Sequence, residues 1–358
     1  MGTRKKTKAA FKKKVNWHTT FGQVTTEERC FIEERKLFRP FSRSSQVTGR
    51  SYSLPLERAL TDFGADVPFG KVVEKMKEHY GIDVPSSTIR LITEKHAYKI
   101  IELKKVGEAR EEILISETDG SMVPIVEIDI AKGQQDARKG RKISWKEVKL
   151  SFARGKDKVN RYYAGIIGTA EEAGQKMLEC AVLAGMKEGT YIHAVGDGAP
   201  WIAEQVKLKF CNRSDYLIDF FHLCEYLSGA SIWCDVFEPK KWMEVSKEKL
   251  KTGRHKEVFE EIAAKYASLD NRDEDNGLTR CYRYMEKRID YMNYQKALAN
   301  GLPIGSGEIE SSHRHVVQKR LKIAGAWWKV ENANAILNLR MSRLNGYWET
   351  YWTSQRAA

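Results

Sequence analysis

The sequence predicts an α/β protein: a mixed-sheet core with a helical insertion, preceded by a helical region. Three observations predict it. The apolar run Tyr191-Ile-His-Ala-Val-Gly-Asp-Gly-Ala-Pro-Trp201 breaks at Gly196-Asp197-Gly198 and resumes as a helix-like pattern through Lys207, which reads as a strand handing one acid to its C-terminal edge. Extended segments at 113–124, 145–152 and 161–167 precede a capping-box-like helix start at Thr169-Ala-Glu-Glu172, as in a meander that feeds a helix. Residues 237–300 then carry helical periodicity, with a polar break at 270–277.

Charge and cysteine content narrow the function. The 358 residues suffice for two or three domains with a buried core. Sixty-one Lys and Arg against 48 acids leave a net charge of +13, which favours a polyanionic partner such as nucleic acid. Seven basic side chains and no acid occupy the first fourteen residues (Arg4, Lys5, Lys6, Lys8, Lys12, Lys13, Lys14), the pattern of a basic arm. No apolar run approaches the roughly 20 residues that span a bilayer, and the basic start lacks the apolar stretch of a secretion signal, so a cytoplasmic location is expected. Six cysteines (Cys30, Cys180, Cys211, Cys224, Cys234, Cys281) form no Cys-x-x-Cys pair, which argues against a zinc ribbon or a disulfide framework.

Residues 1–54 read as the basic arm followed by a small β-rich or partly disordered module. Residues 55–112 read as helical. Leu56, Ala59, Leu60 and Phe63 share one face, and Phe69, Val72, Val73 and Met76 share the next. After Gly81 and Pro85, Ser86 or Ser87 can cap a helix whose buried side is Ile89 and Ile92. The pair at 69–95 is a helix-turn-helix candidate, in which Ser87, Thr88, Arg90 and Lys95 would face DNA; an ordinary helical hairpin has the same pattern. Residues 97–112 continue as a charged helix.

The core is expected over 113–236, with the helical insertion at 237–302 and the remainder of the core at 303–358. The first strand presents Asp119 before Gly120. Strand-borne Asp129 is a second candidate for the same role. Asp215-Tyr-Leu-Ile-Asp-Phe-Phe-His-Leu-Cys-Glu-Tyr-Leu227 reads as a short strand entering a helix, and Leu302-Pro-Ile-Gly-Ser-Gly307 as a tight loop before a basic helix that starts at Glu308 and carries Glu310, Arg314, Lys319, Arg320 and Lys322. Trp327 and Trp328 are either core aromatics or a stacking platform for an unpaired base. A last helix runs from Val330 to about Leu344.

Strand with Asp119, two strands, helix, strand with Asp197, helix, strand, helical insertion, helix with Glu310 is the order of an RNase H-like core. Carboxylates on strand ends and a helix face are the donors that Mg²⁺, a hard cation, requires. The chain resembles the DDE transposases of bacterial insertion sequences, in particular the Kra-type group, and more distantly the Mutator-like transposases. The resemblance rests on Tyr52-Ser-Leu-Pro-Leu56 with Ala59-Leu-Thr-Asp-Phe-Gly64, Asp119-Gly-Ser-Met-Val-Pro124, Glu147-Val-Lys-Leu150, Gly196-Asp-Gly-Ala-Pro-Trp201, Asp219-Phe-Phe-His222 and Pro303-Ile-Gly-Ser-Gly-Glu-Ile-Glu310.

By that resemblance the catalytic triad falls on Asp119, Asp197 and Glu310, with Asp129 and Glu308 as competitors, and the Asp-x-x-His element on Asp219 and His222. It implies two Mg²⁺ ions, with Mn²⁺ as a substitute. It also implies phosphodiester hydrolysis at the element ends followed by strand transfer, double-stranded DNA as partner, a homodimer on DNA and a bacterial, nucleoid-associated location. His222, Arg314 and Lys319 would orient or neutralise phosphates, and Lys319, Arg320, Lys322, Trp327 and Trp328 would be DNA contacts. Two alternatives share these features: an RNase H-fold structure-specific nuclease or resolvase, and a non-catalytic DNA-binding protein derived from a transposase.

Overall fold

The structure is a computed structural model that describes residues 8–33, 36–44, 52–103, 105, 107–128, 140–270 and 275–357. It divides into two compact units, one of Met1–Leu103, Ile323–Ala326 and Gly346–Ala358, the other of Lys104–Lys322 and Trp327–Asn345.

In the first unit β1 (Lys8–Thr19) and β2 (Gly22–Glu33) form an antiparallel hairpin, and β3 (Lys36–Phe38) pairs with β2. Period-two alternation turns Val15, Glu28 and Cys30 inward. The short helix α1 (Pro40–Ser44) satisfies the buried Glu28: the N–H and hydroxyl of Ser42 each donate to its carboxylate at 2.5 Å, and Arg39 Nε donates at 3.0 Å. Within 8–44 the described residues thus hold three strands and one short helix.

Three helices follow: α2 (Leu54–Asp66), α3 (Phe69–Tyr80) and α4 (Ser86–Lys99). Ser53 caps α2, accepting from the N–H of Leu56, and α3 ends on Gly81 in the left-handed region at φ +66°. The expected serine cap on α4 is absent. Pro85 precedes the helix, and neither Ser86 nor Ser87 closes it. Leu56, Leu60, Val72, Met76, Val84, Ile89 and Ile92 form one apolar core. A C-terminal helix, Trp348–Ala357, that the sequence reading did not anticipate belongs to the same unit. It buries Tyr351 and Trp352 against His96, whose ring nitrogens lie 2.7 Å from Tyr351 Oη and 2.8 Å from Glu57.

The second unit is RNase H-like. Its five-stranded mixed sheet has the order β6-β5-β4-β7-β8, built from β4 (Ile113–Ile128), β5 (Arg141–Gly155), β6 (Tyr162–Ile167), β7 (Tyr191–Gly196) and β8 (Ser214–Ile218). β4, β5 and β6 pair antiparallel, whereas β7 lies parallel to both β4 and β8. Parallel neighbours need crossovers, and α5 (Ala170–Leu183) and α6 (Pro200–Phe210) supply them. Thr169 and Glu172 close a full capping box on α5. After β8 come α7 (Phe220–Cys234), α8 (Pro239–Lys251), α9 (His255–Ala267), α10 (Gly277–Glu286) and α11 (Tyr294–Ala299), which share a core with Leu217 and Ile218. Then come α12 (Gly307–His313), a π-helical turn at Arg314–Gln318, α13 (Lys319–Leu321) and α14 (Val330–Leu344).

Two expectations fail for tertiary reasons. The charged helix at 97–112 stops after a 3-10 turn at Ile100–Glu102. Beyond it, Gly107 passes so close to α5 that a Cβ there would sit 2.4 Å from the Val182 carbonyl, while the backbone N–H groups of Glu108 and Glu111 donate to the carbonyls of Leu183 and Gly185. The basic helix after residue 307 is also not continuous, because the π turn widens it just after His313. All six cysteines are free, and no helix among the described residues is long and apolar enough to cross a membrane.

Candidate active site

Asp119 lies inside its strand, which runs past the Pro124 limit expected from the sequence. β4 continues nine residues past it, paired with β5 through Asp119↔Leu150 and Gly120↔Lys149. Asp119 therefore sits where the β4–β7 ladder stops. The last parallel pair is Glu117↔Val195, so two residues further along, Asp119 comes level with Asp197. Its side chain is 27% exposed, and the N–H of Gly120 donates to Oδ1 at 2.7 Å.

Asp197 follows the end of β7, and a ring of backbone contacts shapes its turn. Gly198 has φ +87°, and a Cβ there would meet Arg288 Nε at 2.7 Å and Tyr284 Oη at 2.8 Å, so glycine is required on both counts. Tyr284 Oη donates to the Asp197 carbonyl at 2.8 Å, Arg288 Nε donates to the Gly198 carbonyl at 2.6 Å, and the N–H of Gly198 donates to Tyr216 Oη at 3.1 Å. The N–H of Ala199 donates to Asp197 Oδ1 at 2.8 Å as Pro200 starts α6. The helical insertion thus buttresses this turn directly.

Glu310 is exposed on α12. Four ties fix that helix to the sheet. The N–H of Ile309 donates to Glu117 Oε2 at 2.9 Å, and His313 Nε2 lies 3.2 Å from the Asp119 carbonyl and 3.4 Å from Asp119 Oδ2. Glu308 accepts from Arg154 at 2.7 Å and Arg161 at 2.5 Å, and Ser312 Oγ donates to Tyr163 Oη at 3.3 Å.

Electrostatics distinguish these acids. Burial, then the charges of Asp197, Glu310 and Glu147, push the Asp119 carboxyl up to about 6 against the opposing Gly120 N–H. Asp197 and Glu310 therefore act on Asp119 as neighbours. Burial also raises Glu117, to about 8, and its Oε1 has no partner among the described residues. Glu308 goes the other way: burial opposes ionisation, but Arg154 and Arg161 outweigh it and hold the carboxyl below its usual range. Glu308 is thus occupied by two arginines and Glu310 is free of them, a difference the sequence could not supply. Asp129 lies outside the described residues.

Asp219 is 2% exposed and acts as a clamp. Oδ1 accepts the N–H groups of Phe221 and His222 at the start of α7, and Oδ2 accepts the N–H and hydroxyl of Ser306 at 2.5 Å each, just before α12. His222 is partly exposed, 3.5 Å from Glu225 and edge-on to Tyr226 and Tyr284.

The expected DNA contacts separate by burial. Arg314, Lys319 and Lys322 are exposed. Arg320 and Trp328, at 2% and 6% exposure, are corrections to that expectation: they pack on each other, with the guanidinium 4.6 Å from the ring centre, and reach no surface ligand. Trp327 is exposed. In the first unit Ser87 is exposed and Thr88 half-buried, Arg90 pairs with Glu94 and Lys95 with Glu57.

The sequence reading missed Glu117, His313, Tyr284 and Arg288. His313, three residues after Glu310 on the same helix face, was findable by spacing; the others depend on packing between elements distant in sequence. A cleft of about 510 Å³ lies at the opposite, N-terminal ends of β7 and β8, lined by Tyr191, His193, Asp215 and Lys296, and shares no residue with the acids.

The uncharacterised protein family UPF0236 matches residues 169–355, just over half the chain, including Asp197, Asp219 and Glu310. The chain belongs to UPF0236. No curated protein matches this member of UPF0236. Among solved structures it is similar to a Drosophila P element transposase strand transfer complex at 9% identity, covering 87% of this chain and 83% of that one, with a TM-score of 0.29. A structure of NurA is similar at 15% identity, over 71% of this chain and 58% of that one, with a TM-score of 0.12. Both scores are too low to bear on mechanism.

Carboxylates are the donor type that a hard divalent cation takes, and burial first, then the charges of its acidic neighbours, raises Asp119. Among the described residues no three such side chains close on a single point. An ion here would accordingly take one or two carboxylates and complete its shell with water and phosphate oxygens, the usual manner of Mg²⁺.

Proposed function

We propose that this UPF0236 member is a DNA transposase of the DDE type, similar to the Kra-type group, that cuts phosphodiester bonds at the ends of a mobile element and joins the freed 3′-hydroxyl to target DNA. The observation that carries the reading is the convergence of three acids: the β4–β7 register brings Asp119 level with Asp197, and the charges of Asp197 and Glu310, from a strand end and a helix beyond a helical insertion, both bear on Asp119. The matching motifs at 119–124, 196–201, 219–222 and 303–310 support it.

Asp119 with Asp197, and Asp119 with Glu310, would hold divalent cations, Mg²⁺ or Mn²⁺, which stabilise the charge that develops on the attacking and leaving oxygens. The chain's own residues supply position. His313, pushed down to about 4 by burial, stays neutral and rests on Asp119 without competing for the phosphate's charge. Glu117 and Asp219 set the seat of α12, and through it Glu310. Arg314 and Lys319, exposed on and beyond the same helix, neutralise phosphates, and double-stranded DNA bound to both would be the substrate. Two element ends require two sites, hence a homodimer on DNA.

The test is in vitro cleavage of DNA carrying the repeats that flank this chain's coding sequence, with Mg²⁺ or Mn²⁺. Nicks bearing 3′-hydroxyl ends, followed by joined products, are expected. Cleavage that follows junction structure rather than end sequence would instead establish a structure-specific nuclease.

A further inference from the structure

Past Gly120 the β4–β5 ladder runs beyond the rest of the sheet, and its two faces differ. Val123 and Ile125 are buried on one face, at 0% and 1% exposure. By the register Met122↔Glu147, Pro124↔Trp145, Val126↔Ile143 and Ile128↔Arg141, the opposite face gathers Met122, Ile128, Ile143 and Trp145. All four are exposed, Trp145 at 62%. Trp327 adds to this surface: the carbonyl of the adjacent Trp328 accepts from Val126 N–H at 2.7 Å, and the Arg141 guanidinium lies 5.6 Å from the Trp327 ring, itself 53% exposed. An exposed surface with two indoles and three aliphatic side chains is rare on a soluble chain and marks a binding site.

We propose that this face binds unpaired DNA by stacking bases on Trp145 and Trp327, with the exposed Arg141 on the phosphates. Charge selects the occupant. The acid on this face, Glu147, is paired with Lys149 at 2.8 Å, which leaves Arg141 to attract an anion. A two-fold contact with a second copy would set this cation against its own counterpart. Aromatic platforms interleaved with cations are the recognition mode for single strands, whose bases offer π-faces that a duplex hides. The choice of DNA rests on the reading under Proposed function, but the stacking itself does not need the acids of the candidate active site.

The experiment titrates the full chain in EDTA with a labelled oligothymidylate of about 20 nucleotides and with a duplex of equal length. Indole fluorescence and anisotropy report binding, and light scattering reports mass. Wild type should bind the single strand with quenching and with salt-dependent affinity. Trp145→Ala and Trp327→Ala should each weaken it on the order of 10-fold and leave duplex affinity within about 2-fold. Arg141→Ala should weaken it and flatten the salt dependence. Both indoles are exposed, so unchanged circular dichroism is expected. Unaltered single-strand affinity in the double variant would overturn the proposal, as would unaltered affinity with a drop in mass, which would make the face a contact between copies. Asp197→Asn separates the two readings: it should bind the single strand normally, and if it still cleaves, the catalytic assignment fails while this one stands.

Discussion

Glu117→Gln should convert a pH-sensitive chain into a less sensitive one. The carboxyl is 1% exposed and accepts one hydrogen bond, from Ile309 N–H. It faces Glu308 on α12, Arg154 on β5 and Asp219 at the start of α7, and burial is the largest cause that raises it to about 8 from an ordinary 4.5. The folded state therefore holds a proton between pH 4.5 and 8 that the unfolded state releases, so the stability is fully present below 4.5 and is lost as pH rises towards 8. At about 1.4 kcal/mol per pH unit the loss totals on the order of 4 to 5 kcal/mol. Glutamine copies the neutral acid's shape and keeps its acceptor for Ile309. Urea unfolding of both proteins in EDTA from pH 4.5 to 8.5 measures the difference. The two curves should coincide near pH 4.5 and diverge until the variant is more stable by several kcal/mol at pH 8. Parallel curves would refute the buried, protonated Glu117.

Three further outcomes follow from the same geometry. Gly198→Ala should destabilise by about 1 to 3 kcal/mol in thermal unfolding, because it strains a left-handed turn and meets Arg288 and Tyr284. Asp219→Asn should cost about 2 to 4 kcal/mol in the same measurement, since the amide would turn a donor towards the N–H and hydroxyl of Ser306 or the amides of α7. Glu308 and Glu310 should separate cleanly: Glu310→Gln leaves the unfolding free energy in urea within about 0.5 kcal/mol yet removes cleavage, whereas Glu308→Gln loses the charge that pairs with two arginines and destabilises by about 1 to 2 kcal/mol.

The fold class was legible because the core elements carry local signals. Gly196-Asp197-Gly198 marks a strand end with its own turn chemistry, and Thr169 with Glu172 marks a helix start. The length of β4 was not legible. Pro124 read as an end, but pairing with β5 carries the strand through it to Ile128. The helix expected at 97–112 failed for a similar reason, as contacts with the far end of α5 outweigh local propensity. Among the site acids, Asp197 announces itself, while the difference between Glu308 and Glu310 lies in Arg154 and Arg161, side chains about 150 residues away that no local pattern ties to the helix.

The most direct test of the central claim is the joint assay of end binding and cleavage on flanking-repeat DNA with Mg²⁺, comparing wild type with Asp119→Asn, Asp197→Asn and Glu310→Gln. The account predicts that all three bind the ends as wild type does and lose cleavage and joining by at least about 100-fold. Cleavage retained by Asp197→Asn, or absent from wild type that binds the ends, would contradict it.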